Sequence, residues 1–224
     1  MRDHWSQNGI LSCLAEWRHL CDDSQNSVLW ISSENNGRQF WLTEFSINLI
    51  DICRSQGQLV TFAMCDRPKS AKWTPQHVLK HLVSQMLLSR PDLANSAPHI
   101  FNTRQFRKAS TFDSVFNLLH SIVGLLASVI VVVDRLDRCV PESAAQHVNI
   151  ADALSMLVKL HRRNLKVIVT TGQVVSPSML PGLPISFAVV STKRRPRLLE
   201  YKNSPVPRRG INEMRSVYHP DSLD

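Results

Sequence analysis

The sequence predicts an α/β fold built on a mainly parallel, doubly wound sheet, and three observations carry that prediction. Short continuous apolar runs stand at 28–31 and 129–133, and a further strand is read at 165–170. They lack the period-two alternation of a half-exposed strand, as expected of strands covered on both faces. The stretches between them repeat apolar residues at helical spacing, and strands alternating with helices of that length argue for parallel pairing through crossovers.

Ile10, Leu11, Leu14, Trp17 and Leu20 recur at helical spacing before the polar break at 22–26, giving a leading helix and a turn. The run 28–31 is the first core strand, followed by a polar loop at 32–37. Phe40, Trp41, Leu42, Phe45, Leu49, Ile50 and Ile52 then form a thickly apolar helix, and 59–64 reads as the second strand after Gly57. Thr74-Pro75 starts a further helix, with a hydroxyl to cap it and a proline where the missing N–H costs nothing. Its apolar face is Val78, Leu79, Leu82, Val83, Met86 and Leu87. A helix over 112–127 leads into five consecutive β-branched residues, Val129 to Val133, a buried strand that leaves Asp134 at its C-terminal end. Ile150, Leu154, Leu157, Val158 and Leu160 mark one more helix before the strand at 165–170, and a weaker strand is expected at 185–190.

Composition narrows the class. The chain of 224 residues with 43% hydrophobic content has room for one core plus a tail. Five cysteines, an odd number with no C-x-x-C pair, read as reduced structural thiols, so a cytoplasmic or nuclear setting is expected. The start, Met1-Arg2-Asp3-His4-Trp5, lacks the apolar stretch of a secretory signal. The apolar stretch 118–133 is interrupted by His120, Ser121, Gly124 and Ser128, and spanning a membrane takes about 20 mostly apolar residues. No membrane association is expected. Most of the +8 net charge falls in the C-terminal stretch, where eight basic residues between Lys193 and Arg215 face only Glu200 and Glu213. With Pro196, Pro205, Pro207 and Pro220, that stretch reads as a flexible basic tail. The expected division is a leading helical segment over 1–26, the α/β domain over 27–192 and the tail over 193–224.

In a doubly wound sheet, ligands bind at the carboxyl ends of the strands, which directs attention to 32–39 and 134–138. The run 28–31 before a polar loop, Asp134-Arg135-Leu136-Asp137-Arg138-Cys139 after a valine strand, and Val167 to Thr171 resemble the NACHT-type P-loop NTPase domains of fungal STAND proteins. The helix at 78–88 followed by Arg90-Pro91-Asp92-Leu93 is similar to that family's helix between its second and third strands. The resemblance covers roughly 11–171 and rests on the order and spacing of four segments.

The resemblance implies a phosphate loop of the form G-x-x-x-x-G-K-[ST], whose glycines let backbone N–H groups wrap phosphates while the hydroxyl holds Mg²⁺. The matching positions here are Ser32, Gly37, Arg38 and Gln39. Only Gly37 is unchanged. Ser32 lacks glycine's backbone freedom, Arg38 is a planar fork in place of a compact ammonium, and Gln39 has no hydroxyl. Glu34 adds a negative charge to the same loop. Asp134 and Asp137 match the family's metal-associated acidic positions, but Arg138 stands where a further acid would activate water, and a guanidinium cannot be a base. Gly172 stands where the family carries a γ-phosphate-sensing arginine. Only seven glycines occur in 224 residues, against an average usage of about 7%.

Plainer readings stand beside these. Asp134 is either a vestige of a metal site or a solvated or capped carboxylate, and Arg38 reads better as a surface cation than as a phosphate contact. His77, His81, His120 and His161 read as lone packing or surface residues. Ser32-Ser33 lacks the flanks of a nucleophile elbow.

The expected function is a non-hydrolysing, NACHT-like interaction or scaffold module, a truncated relative or a partner of full-length family members. The first alternative is a weak NTPase that keeps Asp134 and binds ATP with Mg²⁺; no other cofactor is expected. The second is binding of nucleic acid or an acidic partner by the tail, whose only aromatics are Tyr201 and Tyr218.

Overall fold

A computed structural model of the chain describes residues 27–33, 40–65, 73–101, 103–139, 150–161, 165–172 and 185–190. The expected leading helix, the basic tail, and Gly37, Arg38 and Gln39 lie outside these residues.

Five strands form one sheet in the order β2-β3-β4-β1-β5: β1 (Ser27–Ser33), β2 (Val60–Met64), β3 (Val129–Asp134), β4 (Leu165–Thr171) and β5 (Ile185–Val190). Every pairing is parallel. All strand C-termini therefore meet at one end of the sheet. Among the described residues six α-helices connect the strands or decorate the connections: α1 (Phe40–Ser55), α2 (Pro75–Ser89), α3 (Asp92–Ser96), α4 (Thr103–Lys108), α5 (Phe112–Leu125) and α6 (Ile150–Leu160).

The sheet is covered on both faces, as the continuous apolar strands require. On one face α1 sets Leu42, Leu49, Ile50 and Cys53 against Leu29, Ile31, Phe62, Ile130, Val132 and Ile168. On the other, α2, α5 and α6 pack over Val28, Trp30, Ala63, Val131, Val133 and Val169. Successive residues of β1 and β3 alternate between the two clusters because side chains in a strand alternate faces.

Local signals place the helices. Thr74 caps α2 by accepting from the His77 backbone N–H at 3.3 Å, with Pro75 in the first helical position. Thr111 and Ser114 form a reciprocal capping box at the start of α5. That helix was expected to reach 127 but ends at Leu125; Leu126 is already extended, because the chain must straighten before β3. The short helices α3 and α4 span too few residues to show a period in sequence.

Strand β2 lies at an edge of the sheet, and its backbone is met by a side chain. Gln85 of α2, itself buried, donates through Nε2 to the Phe62 carbonyl at 2.6 Å and accepts from the Phe62 N–H at 3.0 Å. A single amide thus stands in for a neighbouring strand and keeps that stretch of edge from pairing elsewhere.

The histidines need one correction. His77 bonds to Thr74 at the helix start, and His81 packs edge-on to Trp73, as lone helix residues would. His120 and His161, read as separate, form a pair with Nδ1 and Nε2 2.7 Å apart. Their 41-residue separation in the chain hides an adjacency that exists only because α5 and the end of α6 are neighbours.

Candidate functional site

The C-terminal ends of β1, β3 and β4 lie side by side, with Ile31 opposite Thr170, Ser32 opposite Thr171 and Val133 opposite Val169. Three of the predicted site residues, Ser32, Asp134 and Asp137, fall at this end of the sheet.

Asp134 is the last residue of β3 and is fully buried, on the side facing α1. It is not a solvated strand-end carboxylate. Thr43 Oγ1 donates to its Oδ2 at 2.7 Å, Ser46 Oγ to its Oδ1 at 2.8 Å, and Thr170 Oγ1 to its Oδ1 at 2.6 Å. Thr43 and Ser46 are three apart on α1 and so share a face. Burial pushes the Asp134 carboxyl above the ordinary carboxylate range, against the pull of the Thr170, Thr43 and Ser46 hydroxyls and the Arg135 charge.

Arg135 turns the chain away from β3 in the left-handed region, with φ of 56°. Among the described residues it is the only non-glycine with positive φ. Its N–H donates to Thr170 Oγ1 at 3.0 Å, so that hydroxyl both accepts from Arg135 and donates to Asp134. The buried Arg135 guanidinium grips Asp137 with two bonds, Nε to Oδ1 at 3.1 Å and a terminal nitrogen to Oδ2 at 3.0 Å. Asp137 Oδ1 also accepts from the Gly172 N–H at 2.7 Å, tying the turn after β3 to the end of β4. Burial alone would raise the Asp137 carboxyl, but the bonds from Arg135 and Gly172 hold it below the usual range. Arg138 stays exposed, 3.7 Å from Asp137.

Ser32 is buried at the end of β1, and among the described residues its hydroxyl has no hydrogen-bond partner. Position in β1 puts it on the same face as Val28 and Trp30, opposite to Asp134. Ser32 and Asp134 therefore point to different sides of the sheet.

Sequence reasoning missed Thr43, Ser46, Thr170 and Arg135 as members of this site. A signal existed for two of them: Thr43 and Ser46 are hydroxyls three residues apart, interleaved with the apolar positions Leu42, Phe45, Leu49 and Ile50 of one helix. Among the described residues no group of three or more His, Cys, Asp or Glu could hold a metal, and no helix is long and apolar enough to cross a membrane.

Taken together, the parallel sheet, its two helical layers and the carboxylate-centred polar network at the strand ends define an α/β domain with its candidate site at the carboxyl edge. The chain belongs to the family described as Nephrocystin 3, N-terminal, whose model matches residues 11–171. Comparison with curated proteins gives no match. Similar solved structures include the Aeropyrum pernix ORC1 protein in complex with DNA, 14% identical with a TM-score of 0.43, covering 74% of this chain and 39% of that one. The Aeropyrum pernix ORC2 protein in ADPNP and ADP complexes is 12% identical with a TM-score of 0.46, covering 83% and 47%. A Walker-type ATPase of Pyrococcus abyssi is 14% identical with a TM-score of 0.43, covering 73% and 48%. The chain thus spans less than half the length of each of these three structures. Nothing about its ligands or partners follows from likeness at that level.

Proposed function

We propose that this chain is a degenerate, NACHT-like P-loop domain that does not hydrolyse nucleotide and acts as an interaction or scaffold module. One observation carries the reading. Asp134, at the position the sequence resemblance gives to the Mg²⁺-associated carboxylate, is fully buried with three of the chain's own hydroxyls bonded to it. These hydroxyls take three of the roughly four lone-pair positions of the carboxylate, and burial shuts it off from solvent. Thr43 stands four residues after Gln39, one helical turn beyond the position where the resemblance implies a metal-holding hydroxyl. The chain's own hydroxyls do for the carboxylate what an ion would do elsewhere.

The lost groups support the same reading. Ser32, Arg38, Gln39, Arg138 and Gly172 depart from the resemblance at five separate roles: loop conformation, phosphate charge, metal hydroxyl, base and sensor. Asp137, the second acidic position, is committed to Arg135 and the Gly172 backbone. Protein partners are the expected ligands, and full-length relatives the first to test.

Nucleotide-dependent thermal stabilisation tests the reading against a weak NTPase that keeps Asp134. A ligand present at 100 times its dissociation constant adds about 2.7 kcal/mol, a shift of several degrees for a domain of this size. With MgATP or MgGTP the full chain should melt as it does in matched salt. A saturable rise in Tm that vanishes on Asp134→Ala would favour the NTPase.

A further inference from the structure

The His120–His161 pair lies apart from the strand-end site and has no part in the function proposed above. The two rings come from different helices, with centroids 4.6 Å apart, an interplanar angle of 48° and Nδ1 of His120 2.7 Å from Nε2 of His161. Both are partly exposed, so the pair is reachable from solvent. Their backbones are fixed. His120 lies inside α5 beside fully buried Leu119, and the His161 N–H donates to the Leu157 carbonyl at 2.9 Å, extending α6 by one residue.

Gly124 gives the second observation. It sits one turn beyond His120 on α5, and a Cβ placed there would lie 3.3 Å from His161 Cε1. The missing side chain leaves the space into which the His161 imidazole turns to face His120.

We propose that His120 and His161 form a two-imidazole site for a divalent transition ion of the Ni²⁺ or Cu²⁺ class. Imidazole is the common protein ligand for such ions, at metal–nitrogen distances of about 2.0–2.1 Å. Two nitrogens in cis positions at a right angle then stand about 2.9 Å apart, whereas tetrahedral coordination separates them by about 3.3 Å. The observed 2.7 Å is within a few tenths of an ångström of the cis spacing. An ion with right-angled positions therefore fits with little helix movement, and water completes its coordination.

The proton balance is simple. In the neutral pair one ring nitrogen donates its hydrogen to the other. When the ion enters between them, the donating ring moves that proton to its outer nitrogen, so both inner nitrogens present lone pairs and no proton is released.

Isothermal titration of the untagged full chain with NiCl₂ at neutral pH and 150 mM salt tests the site. The chain has nine histidines in all, so the variants decide which of them bind. Wild type should show one equivalent of bound Ni²⁺, weakened at least tenfold by His120→Gln and by His161→Gln. The double variant should be little weaker than either single one, because removing one arm already abolishes the chelate. Wild-type affinity in either single variant, or no one-to-one event in wild type, overturns the proposal. If a variant fails to fold, paramagnetic broadening of the wild-type imidazole C–H signals decides instead. Loss of the His120 and His161 signals first supports the site; loss of other histidine signals first overturns it.

Discussion

Thr43 and Asp134, 91 residues apart in the chain, are joined by a 2.7 Å hydrogen bond from the hydroxyl to the carboxylate. The bond links the helix that follows β1 to the end of β3, and with Ser46 and Thr170 it encloses the carboxylate.

Asp134→Asn should leave the fold intact and raise Tm at pH 7. A folded pKa raised above its unfolded value means the folded state binds the proton more tightly. The corresponding stability is present below the unfolded pKa of about 3.8 and is lost as pH rises through the folded pKa. The advantage of Asn over Asp should therefore shrink as the pH is lowered towards 4. Thermal melts of both proteins across pH 4–8 check it; a gap that widens in acid contradicts it.

Thr170→Val keeps the shape of the side chain and removes two hydrogen bonds at once, the acceptor for the Arg135 N–H and a donor to Asp134. An unsatisfied buried polar group costs about 1–3 kcal/mol. Urea unfolding should show a loss in that range; unchanged stability would contradict it.

Arg135 combines a favourable ion pair with an unfavourable backbone conformation. Loss of one partner of a buried pair costs about 3–5 kcal/mol, while a left-handed conformation costs a residue with a Cβ about 1–2 kcal/mol. Both Arg135→Ala and Arg135→Gly should destabilise, with the glycine variant about 1 kcal/mol the more stable of the two. Asp137 adds a pH test of opposite sign to Asp134. Its depressed pKa contributes stability above the unfolded value that is lost as pH falls through the folded one, so acid should erode this clamp. Equal melting of the two Arg135 variants would refute the backbone argument.

Gln85→Leu fills the same space without the amide and exposes the Phe62 N–H and carbonyl on the β2 edge. We expect a loss of about 1–3 kcal/mol and concentration-dependent association, seen by light scattering. Unchanged stability would show that another group takes over the edge.

Much of this architecture was legible in the sequence because it rests on continuous apolar runs. Five β-branched residues fix β3, helical repeats fix α1, α2 and α6, and Thr74-Pro75 fixes a helix start within a residue. Asp134 could be placed at a strand end for the same reason. Its surroundings could not be read, since Thr43, Ser46 and Thr170 are ordinary hydroxyls until three separate elements bring them together. Arg135 lies in the stretch 134–138 that the sequence singles out, but its two bonds to Asp137 depend on the left-handed turn after β3, which a non-glycine residue does not announce. Gln85 and the His120–His161 pair were hidden for the same reason: each interacts across elements whose adjacency local sequence does not encode.

The claim that the domain does not hydrolyse nucleotide is tested most directly by phosphate release from ATP and GTP with Mg²⁺ by the purified full chain. Removing one electrostatic contact to a transition state typically costs about 10²–10³ in rate, and here several are absent together. Release should match the buffer control, and Arg38→Lys or Arg138→Glu should not restore it, because groups that act as a unit are not additive. Turnover above the control that disappears on Asp134→Ala would contradict the account.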